Sequence, residues 1–305
     1  MTSSFYGAGS AAAQEDQTQT YEAFGFRLRS SLDLTGLRPV SSAGDPDVVI
    51  ERGAVVAPGA LAPGGFSGWP GRDGDVIAWK RGTRLRIQAD AITVDTSEEA
   101  FARQCVSGPG LGILAHRRGL LTLHGSAVEV DGRAVVLLGP KRAGKSTAAA
   151  ALVARGHRLL TDDLVVLDLD EEGACVRPGP TQVKLWPASS EVLGLSDAVE
   201  PIVDGFAKGV WHGAPPAEAK AQVALVCSLG WGDAIEVTPL TASAAFSAVF
   251  AHVYAPRFLR AAVSGSLVAP VARLVASVRV ADLSRPADLG RVEETVAALE
   301  AAVGG

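Results

Sequence analysis

The sequence predicts an α/β protein, with a mixed-sheet core from about Leu120 onward and a smaller β-rich domain before it. Three observations carry this expectation. Short alternating apolar stretches broken by Gly and Pro run from Phe24 to about Val94, with the length and turn spacing of strands. The segment Gly139-Pro-Lys-Arg-Ala-Gly-Lys-Ser, residues 139–146, fits G-x-x-x-x-G-K-[ST] between an apolar strand and a helical pattern. Asp162-Asp163 follows at the start of a further strand, where a βαβ unit returns beside that loop. Composition excludes other classes: 305 residues, 48% hydrophobic, 20% charged and 6% aromatic, are neither disordered nor collagen-like nor a disulfide scaffold. No apolar run approaches the roughly 20 residues of a membrane-spanning helix. The 28 Lys and Arg are scattered through a chain of net charge −5, which argues against a nucleic-acid partner.

In chain order, residues 1–20 are rich in Ser, Ala, Gln and Thr and read as a disordered lead-in without the basic and apolar regions of a secretory signal. A β-rich domain is expected over 21–115. Its strands are Phe24-Gly-Phe-Arg-Leu-Arg, Asp47-Val-Val-Ile, Asp75-Val-Ile-Ala-Trp, Leu85-Arg-Ile and Ala91-Ile-Thr-Val, forming a small antiparallel region. Ala57 to Gly74, with Pro58, Pro63 and Pro70, reads as a surface loop whose Trp69 packs on the sheet. Ser97 is an N-cap for a helix to Arg118, interrupted by Gly108-Pro-Gly. The nucleotide-binding domain is expected over 116–305. Leu120 to Val130 reads as one strand, Asp131-Gly132 as a hairpin turn, and Ala134 to Leu138 as a strand buried on both faces. Thr147 to Arg155 is an Ala-rich helix stopped by Gly156, and Leu164 to Leu169 is a strand. Ser243 to Ser277 reads as mostly helical, Val278 to Leu283 as a strand, and Pro286 to Val303 as an amphipathic helix with its Pro near the start. Cys105, Cys175 and Cys227 are widely spaced and read as buried reduced thiols of a cytoplasmic protein.

The chemistry concentrates around the loop. Gly139 and Gly144 allow the tight turn that aims backbone N–H groups at a polyphosphate, and the helix N-terminus adds its positive end. The expected nucleotide contacts are Gly139, Pro140, Lys141, Arg142, Ala143, Gly144, Lys145, Ser146 and Thr147, with Arg142 able to lie over the phosphates. Lys145 is placed to reach the β- and γ-phosphates of ATP, and the Ser146 hydroxyl to ligate Mg²⁺. Of Asp162 and Asp163, one can ligate Mg²⁺ and the other can accept a proton from an attacking hydroxyl. His124 is carried to the same end of the sheet if its strand lies beside the one entering the loop. Lys184 is either a contact to nucleotide or transferred phosphoryl, or a surface lysine. Trp186 reads as packing a loop onto the core, Lys208 as a weaker cationic candidate, and His157 as structural.

Taken together, Leu123-His124-Gly125, Leu138-Gly139 through Lys145-Ser146, Arg155-Gly-His-Arg-Leu159 and Asp162-Asp163 resemble the catalytic domain of HPr kinase/phosphorylase in residue type and spacing. The resemblance covers about Leu120 to Leu169. It implies a P-loop-containing, HPr-kinase-like (PEP carboxykinase-like) core, catalytic roles for His124, Lys145, Asp162 and Asp163, metal ligation by Ser146 and Asp162, and Asp163 as the general base. It also implies ATP and Mg²⁺ as cofactors, a Ser-bearing protein substrate and a homo-oligomer. The chain departs from the family after the Asp pair: Val183-Lys-Leu-Trp-Pro187 stands where a Glu-Ile-Arg-Gly stretch is expected, and the late basic segment tied to the phosphorylase direction is not found. This layout is similar to a divergent branch that accompanies ribosomal peptide maturation, including lasso peptides, and implies phosphorylation of a precursor Ser. The activity expected is therefore that of a serine kinase acting on a peptide or small protein, with no membrane or nucleic-acid partner. The alternatives are a P-loop nucleotide hydrolase, or a nucleotide-dependent binding module for which Asp163→Asn would leave function intact.

Overall fold

Alternating apolar and polar residues in the first third of the chain give β1 (Gln19–Ala23), β2 (Phe26–Ser30), β3 (Arg38–Pro39), β4 (Val48–Arg52), β5 (Phe66–Trp69), β6 (Asp75–Trp79), β7 (Arg84–Ile87) and β8 (Ala91–Asp95). These belong to a computed structural model in which residues 18–171, 173–202, 206–258 and 267–304 are described. The lead-in expected over 1–20 falls on residues 1–17, outside the described residues, except that Gln19 and Thr20 already belong to β1. The eight strands form one sheet in the order β3-β1-β2-β4-β8-β7-β6-β5. It is mixed rather than antiparallel: β4 runs parallel to both β2 and β8. The connection from β2 to β4 buries Leu32, Leu34 and Leu37 under the sheet before the chain returns in the same direction. The expected Ala57–Gly74 loop contains the edge strand β5, paired to β6, in the stretch between Pro63 and Pro70 that carries the aromatic residues Phe66 and Trp69.

Two short helices, α1 (Glu99–Cys105) and α2 (Leu111–Arg117), are joined by a π-helical turn over Val106–Gly110, which accommodates Pro109 without ending the helical path. Ser97 is not the N-cap: that position is Glu98, which makes no side-chain cap, and Thr96 Oγ1 instead accepts from the Glu98 N–H at 3.0 Å. Phe101, Leu111 and Leu114 pack with the first sheet, and so do Leu164 and Val166 from the second half of the chain.

The second half supplies β9 (Leu121–His124), β10 (Ser126–Val130), β11 (Arg133–Leu138), α3 (Lys145–Ala154), β12 (Arg158–Thr161), β13 (Leu164–Asp170), β14 (Gly173–Arg177), β15 (Val183–Leu185), α4 (Pro187–Val192), β16 (Val199–Pro201), β17 (Gly209–Trp211), β18 (Ala221–Leu229), β19 (Glu236–Pro239), α5 (Ala242–Phe250), α6 (Val268–Ser277), β20 (Arg279–Ser284) and α7 (Val292–Gly304). Nine strands form a mixed sheet ordered β12-β10-β11-β18-β14-β13-β9, with β20 against β18 and β19 beyond it. The protein is thus α/β with mixed sheets.

The single strand expected over Leu120–Val130 is broken at Gly125. There β9 leaves to pair with β13 while β10 pairs with β11 and β12. A Cβ at Gly125 would stand 2.6 Å from the Leu137 carbonyl oxygen, so only glycine lets the backbones approach so closely. Asp131 and Gly132 both have positive φ (49° and 77°), the geometry of a two-residue hairpin between β10 and β11. In α3, Ala148 to Leu152 are all buried, and small side chains let the helix lie close against sheet and α7 alike. At the chain's end Pro286 lies outside the helix. A 3₁₀ turn starts at Leu289, where Asp288 accepts from the Gly290 N–H at 2.8 Å, and α7 follows from Val292. Within the helical stretch expected over Ser243–Ser277, α5 and α6 are described and 259–266 lie outside the described residues. Among the described residues no disulfide joins Cys105, Cys175 or Cys227; Cys105 and Cys227 are buried as expected, whereas Cys175, on β14, is only half-buried.

This topology decides which loops meet. β11, β18 and β20 are mutually parallel. β10 is antiparallel to both β11 and β12, so β12 points the same way as β11. The segments that follow β11, β12, β18 and β20 therefore emerge at one edge of the sheet, where open α/β sheets take their ligands.

Candidate active site

At the end of β11 the chain turns through Gly139 (φ 140°), Arg142 (φ 71°) and Gly144 (φ 83°) into α3. A Cβ at Gly139 would come within 2.8 Å of the Leu229 carbonyl oxygen, so the turn needs glycine both for its φ and for the approach of β18. Pro140, Lys141 and Arg142 are exposed, while Ala143, Lys145 and Thr147 are buried. The first-turn amides of α3 have no acceptor one turn back and stay available to an anion. Lys145 folds over the loop, and its Nζ donates to the carbonyl oxygens of Gly139 (2.9 Å) and Pro140 (3.3 Å). Burial pulls its pKa down from 10.5. The Thr147 hydroxyl is engaged elsewhere, with Ser189 of α4 at 2.9 Å.

Asp162 and Asp163 occupy the turn between β12 and β13 and face different surroundings. Asp162 is buried. Its Oδ1 accepts from Ser126 Oγ (2.6 Å) and Ser146 Oγ (3.0 Å), and its Oδ2 from the Lys184 N–H (3.1 Å). Burial first, and the charge of Asp163 second, push its pKa above the ordinary 3.8. Asp163 has φ 70° and a half-buried side chain. Its Oδ2 is 2.8 Å from Lys184 Nζ. Burial would raise its pKa, but the Lys184 ammonium overrides this and holds the carboxyl down at about 2. The same pairing lifts the Lys184 pKa against the opposing effect of burial.

His124 lies at the end of β9, where Nδ1 is 3.0 Å from the Asp163 carbonyl oxygen. A carbonyl only accepts, so Nδ1 carries the hydrogen. Burial and then the Lys145 ammonium lower the pKa below 6.5, which leaves a neutral ring with a lone pair on Nε2.

The structure thus brings Ser146, Asp162, Asp163, Lys184 and His124 into one connected group beside the loop. Arg142 does not reach over the loop but lies 5.2 Å from the Trp186 ring centroid, and Lys208 Nζ is 5.9 Å from the same ring. His157 pairs with Glu300 at 2.8 Å and ties the end of α3 to α7. Three participants carry no local sequence pattern. Ser126 holds Asp162. His252 Nε2 accepts from the Gly139 N–H at 3.1 Å while its Nδ1 donates to the Ala248 carbonyl at 2.7 Å. Arg285 donates from Nη2 to the Ala143 carbonyl.

Ser146 Oγ and Asp162 Oδ1 converge as a hydroxyl and a carboxylate, an oxygen pair suited to Mg²⁺. Among the described residues no group of three or more His, Cys, Asp or Glu forms a closed metal cage. A separate cavity of about 640 Å³, lined by Leu240, Ala245, Val275 and Ala298, shares no residue with this group. Among the described residues no helix is long and apolar enough to cross a membrane.

Comparison with known proteins finds similarity over the segment that carries the loop and the Asp pair. The family described as HPr Serine kinase C-terminal domain matches residues 114–183. The HPr kinase/phosphorylase of Lachnoclostridium phytofermentans is 38% identical over 60 residues, 20% of this chain and 19% of that protein. The HPr kinase/phosphorylase of Prosthecochloris aestuarii is 46% identical over 56 residues, 18% of this chain and 16% of that protein. The chain therefore spans about a fifth or less of the length of these curated relatives. A solved Hpr(Ser) kinase/phosphatase from Coxiella burnetii aligns over 60% of this chain and 99% of its own at 14% identity, with a TM-score of 0.33. The matched segment includes His124, the 139–147 loop, Asp162 and Asp163 and stops just short of Lys184, so over this stretch the chain is similar to the HPr kinase C-terminal domain.

Proposed function

We propose that the protein is an ATP-dependent serine kinase that transfers the γ-phosphoryl group to a hydroxyl of a peptide or small protein, with residues 116–305 as the P-loop kinase domain and 21–115 as a β-rich accessory domain. The acceptor is an HPr-like protein or, following the resemblance to the peptide-maturation branch, a Ser of a ribosomal precursor peptide. The observation that carries this reading is the arrangement of Asp163: a half-buried carboxylate kept ionised by Lys184, adjacent to an Asp162 that is bonded to the loop hydroxyl of Ser146.

In the mechanism this supports, the backbone of 139–147 receives the triphosphate, and Lys145 exchanges its two carbonyl partners for the β- and γ-phosphate oxygens. Ser146 and Asp162 would hold Mg²⁺, which when bound neutralises charge on those oxygens. Asp163 accepts a hydrogen bond from the acceptor hydroxyl and aims its oxygen at the γ-phosphorus. The new Oγ–P bond forms as the bond to the β-phosphate oxygen breaks, ADP departs, and the hydroxyl proton passes to the Asp163 carboxylate. A pKa of about 2 makes Asp163 a weak base, so its main contribution is orientation, with the proton leaving late in a loose transition state. Neutral His124 contributes a lone pair at Nε2 rather than a positive charge.

The test is incubation of the purified chain with γ-labelled ATP and Mg²⁺, with HPr in one reaction and a Ser-containing precursor peptide in another, and Asp163→Asn as the control. Label on an acceptor, lost in the control, is the expected result. Release of free phosphate with both acceptors unlabelled would favour the hydrolase reading.

A further inference from the structure

The edge of the sheet that carries the loop has two sides. On one side, beyond β10 and β12, lie Asp162 and Asp163, the end where the reading above puts the γ-phosphate. On the other side β18 and β20 end in Gly230-Trp-Gly232 and Arg285-Pro286, cross-linked by backbone bonds from Gly230 N–H to Leu283 O (2.9 Å) and Gly232 N–H to Arg285 O (2.9 Å). Trp231 is 51% exposed there, a large apolar surface held between two glycines at the rim of the site. The Arg285 guanidinium covers its ring at 4.4 Å from the centroid, so the indole is fixed from one face and open on the other.

Arg285 is itself unusual. It is only 6% exposed. It bonds the Ala143 carbonyl of the loop, and it packs where a Cβ on Gly144 would fall. Its Nε is buried without a hydrogen-bond partner, and among the described residues no carboxylate offsets the burial of its charge. A buried cation without an anion, touching a loop built for phosphate, is a site whose counter-charge arrives with the ligand.

We propose that Trp231 is the platform on which the base of the nucleoside triphosphate stacks, with Arg285 beneath it linking the platform to the loop. A triphosphate laid along 139–147 with its γ end at the Asp pair has its nucleoside end at β18 and β20. Among the described residues, Trp231 presents an exposed aromatic ring on that side. Stacking on an indole is tolerant of base identity, so the platform gives affinity for a nucleotide rather than strict choice of adenine.

This inference rests on the nucleotide reading above, and the experiment separates the two. Titration calorimetry on the full chain would compare ATP with inorganic tripolyphosphate, which has the phosphates and no base, for wild type, Trp231→Ala and Trp231→Phe. Loss of the platform in Trp231→Ala should weaken ATP by about tenfold, the order one base–aromatic stack supplies, and leave tripolyphosphate affinity unchanged. Trp231→Phe should recover most of the ATP affinity. Unchanged ATP affinity in Trp231→Ala, or equal weakening of both ligands, would overturn the platform and leave the loop reading intact. Wild type that binds neither ligand would instead overturn the nucleotide reading and this inference with it.

Discussion

Lys184→Met replaces the ammonium 2.8 Å from Asp163 with an apolar chain of similar length. In the native protein Asp163 has its pKa lowered from 3.8 to about 2. Because the folded value lies below the unfolded one, the pair contributes stability above about pH 4 and loses it as pH falls toward 2. At 1.36 kcal/mol per pKa unit the contribution is roughly 2 kcal/mol, and partial exposure of the carboxylate brings this nearer about 1 kcal/mol through solvent screening. In the variant burial is the largest remaining influence, and it drives the Asp163 pKa above 3.8. Urea unfolding at pH 7 should show the variant less stable by about 1–2 kcal/mol, with the gap roughly halved at pH 3. The acid limb of phosphoryl transfer should move upward, since a protonated Asp163 cannot accept the acceptor's proton. An equal stability loss at both pH values, together with an unmoved acid limb, would refute the reasoning and make Lys184 an ordinary structural cation.

Two further substitutions test the loop. Lys145→Met removes the group expected on the β- and γ-phosphates while keeping a buried chain of similar volume, so transfer of γ-label should fall by several orders of magnitude with little change in Tm; full activity would remove Lys145 from the mechanism. His252→Ala leaves the buried Gly139 N–H without its acceptor, which should cost about 1–3 kcal/mol in urea unfolding and weaken ATP binding by calorimetry. His252→Gln, which can offer an oxygen in place of Nε2, should recover part of both.

The glycine-rich loop was legible in the sequence because its geometry is enforced locally: two glycines at fixed spacing, an apolar strand before and a helix after. The hairpin at Asp131-Gly132 was legible for the same reason, since both residues tolerate the positive φ they adopt. What local pattern could not show was the sheet. Val223 to Cys227 is a continuous apolar run without alternation, and it lies in β18, the strand between β11 and β20 that places Trp231 and Arg285 beside the loop. A strand buried on both faces loses the alternation that marks a half-exposed one. The break at Gly125 is hidden in the sequence because Leu-Thr-Leu-His-Gly-Ser-Ala-Val is a continuous strand pattern, and what interrupts it is a carbonyl oxygen on Leu137. A glycine inside such a pattern was the available clue. His252 stands 113 residues from the amide it receives, a contact that exists only through the fold.

The Asp pair shows how the fold gives two neighbouring residues of one type different chemistry. Between β12 and β13 the backbone turns through a left-handed φ of 70° at Asp163, a conformation that glycine adopts freely and a carboxylate-bearing residue occupies at a cost of order 1 kcal/mol. A turn alone would be better served by glycine. With aspartate there, Asp162 points inward to two hydroxyls and a backbone N–H, and Asp163 meets the Lys184 ammonium. Their pKa values move in opposite directions, one up through burial and one down through the ion pair. Adjacent carboxylates driven apart in this way divide the labour of a site. The inner one, linked to Ser146, suits metal binding, and the outer one, ionised at every physiological pH, suits orienting a hydroxyl. The sequence named both residues as candidates, and the turn between β12 and β13 is what gives them separate surroundings.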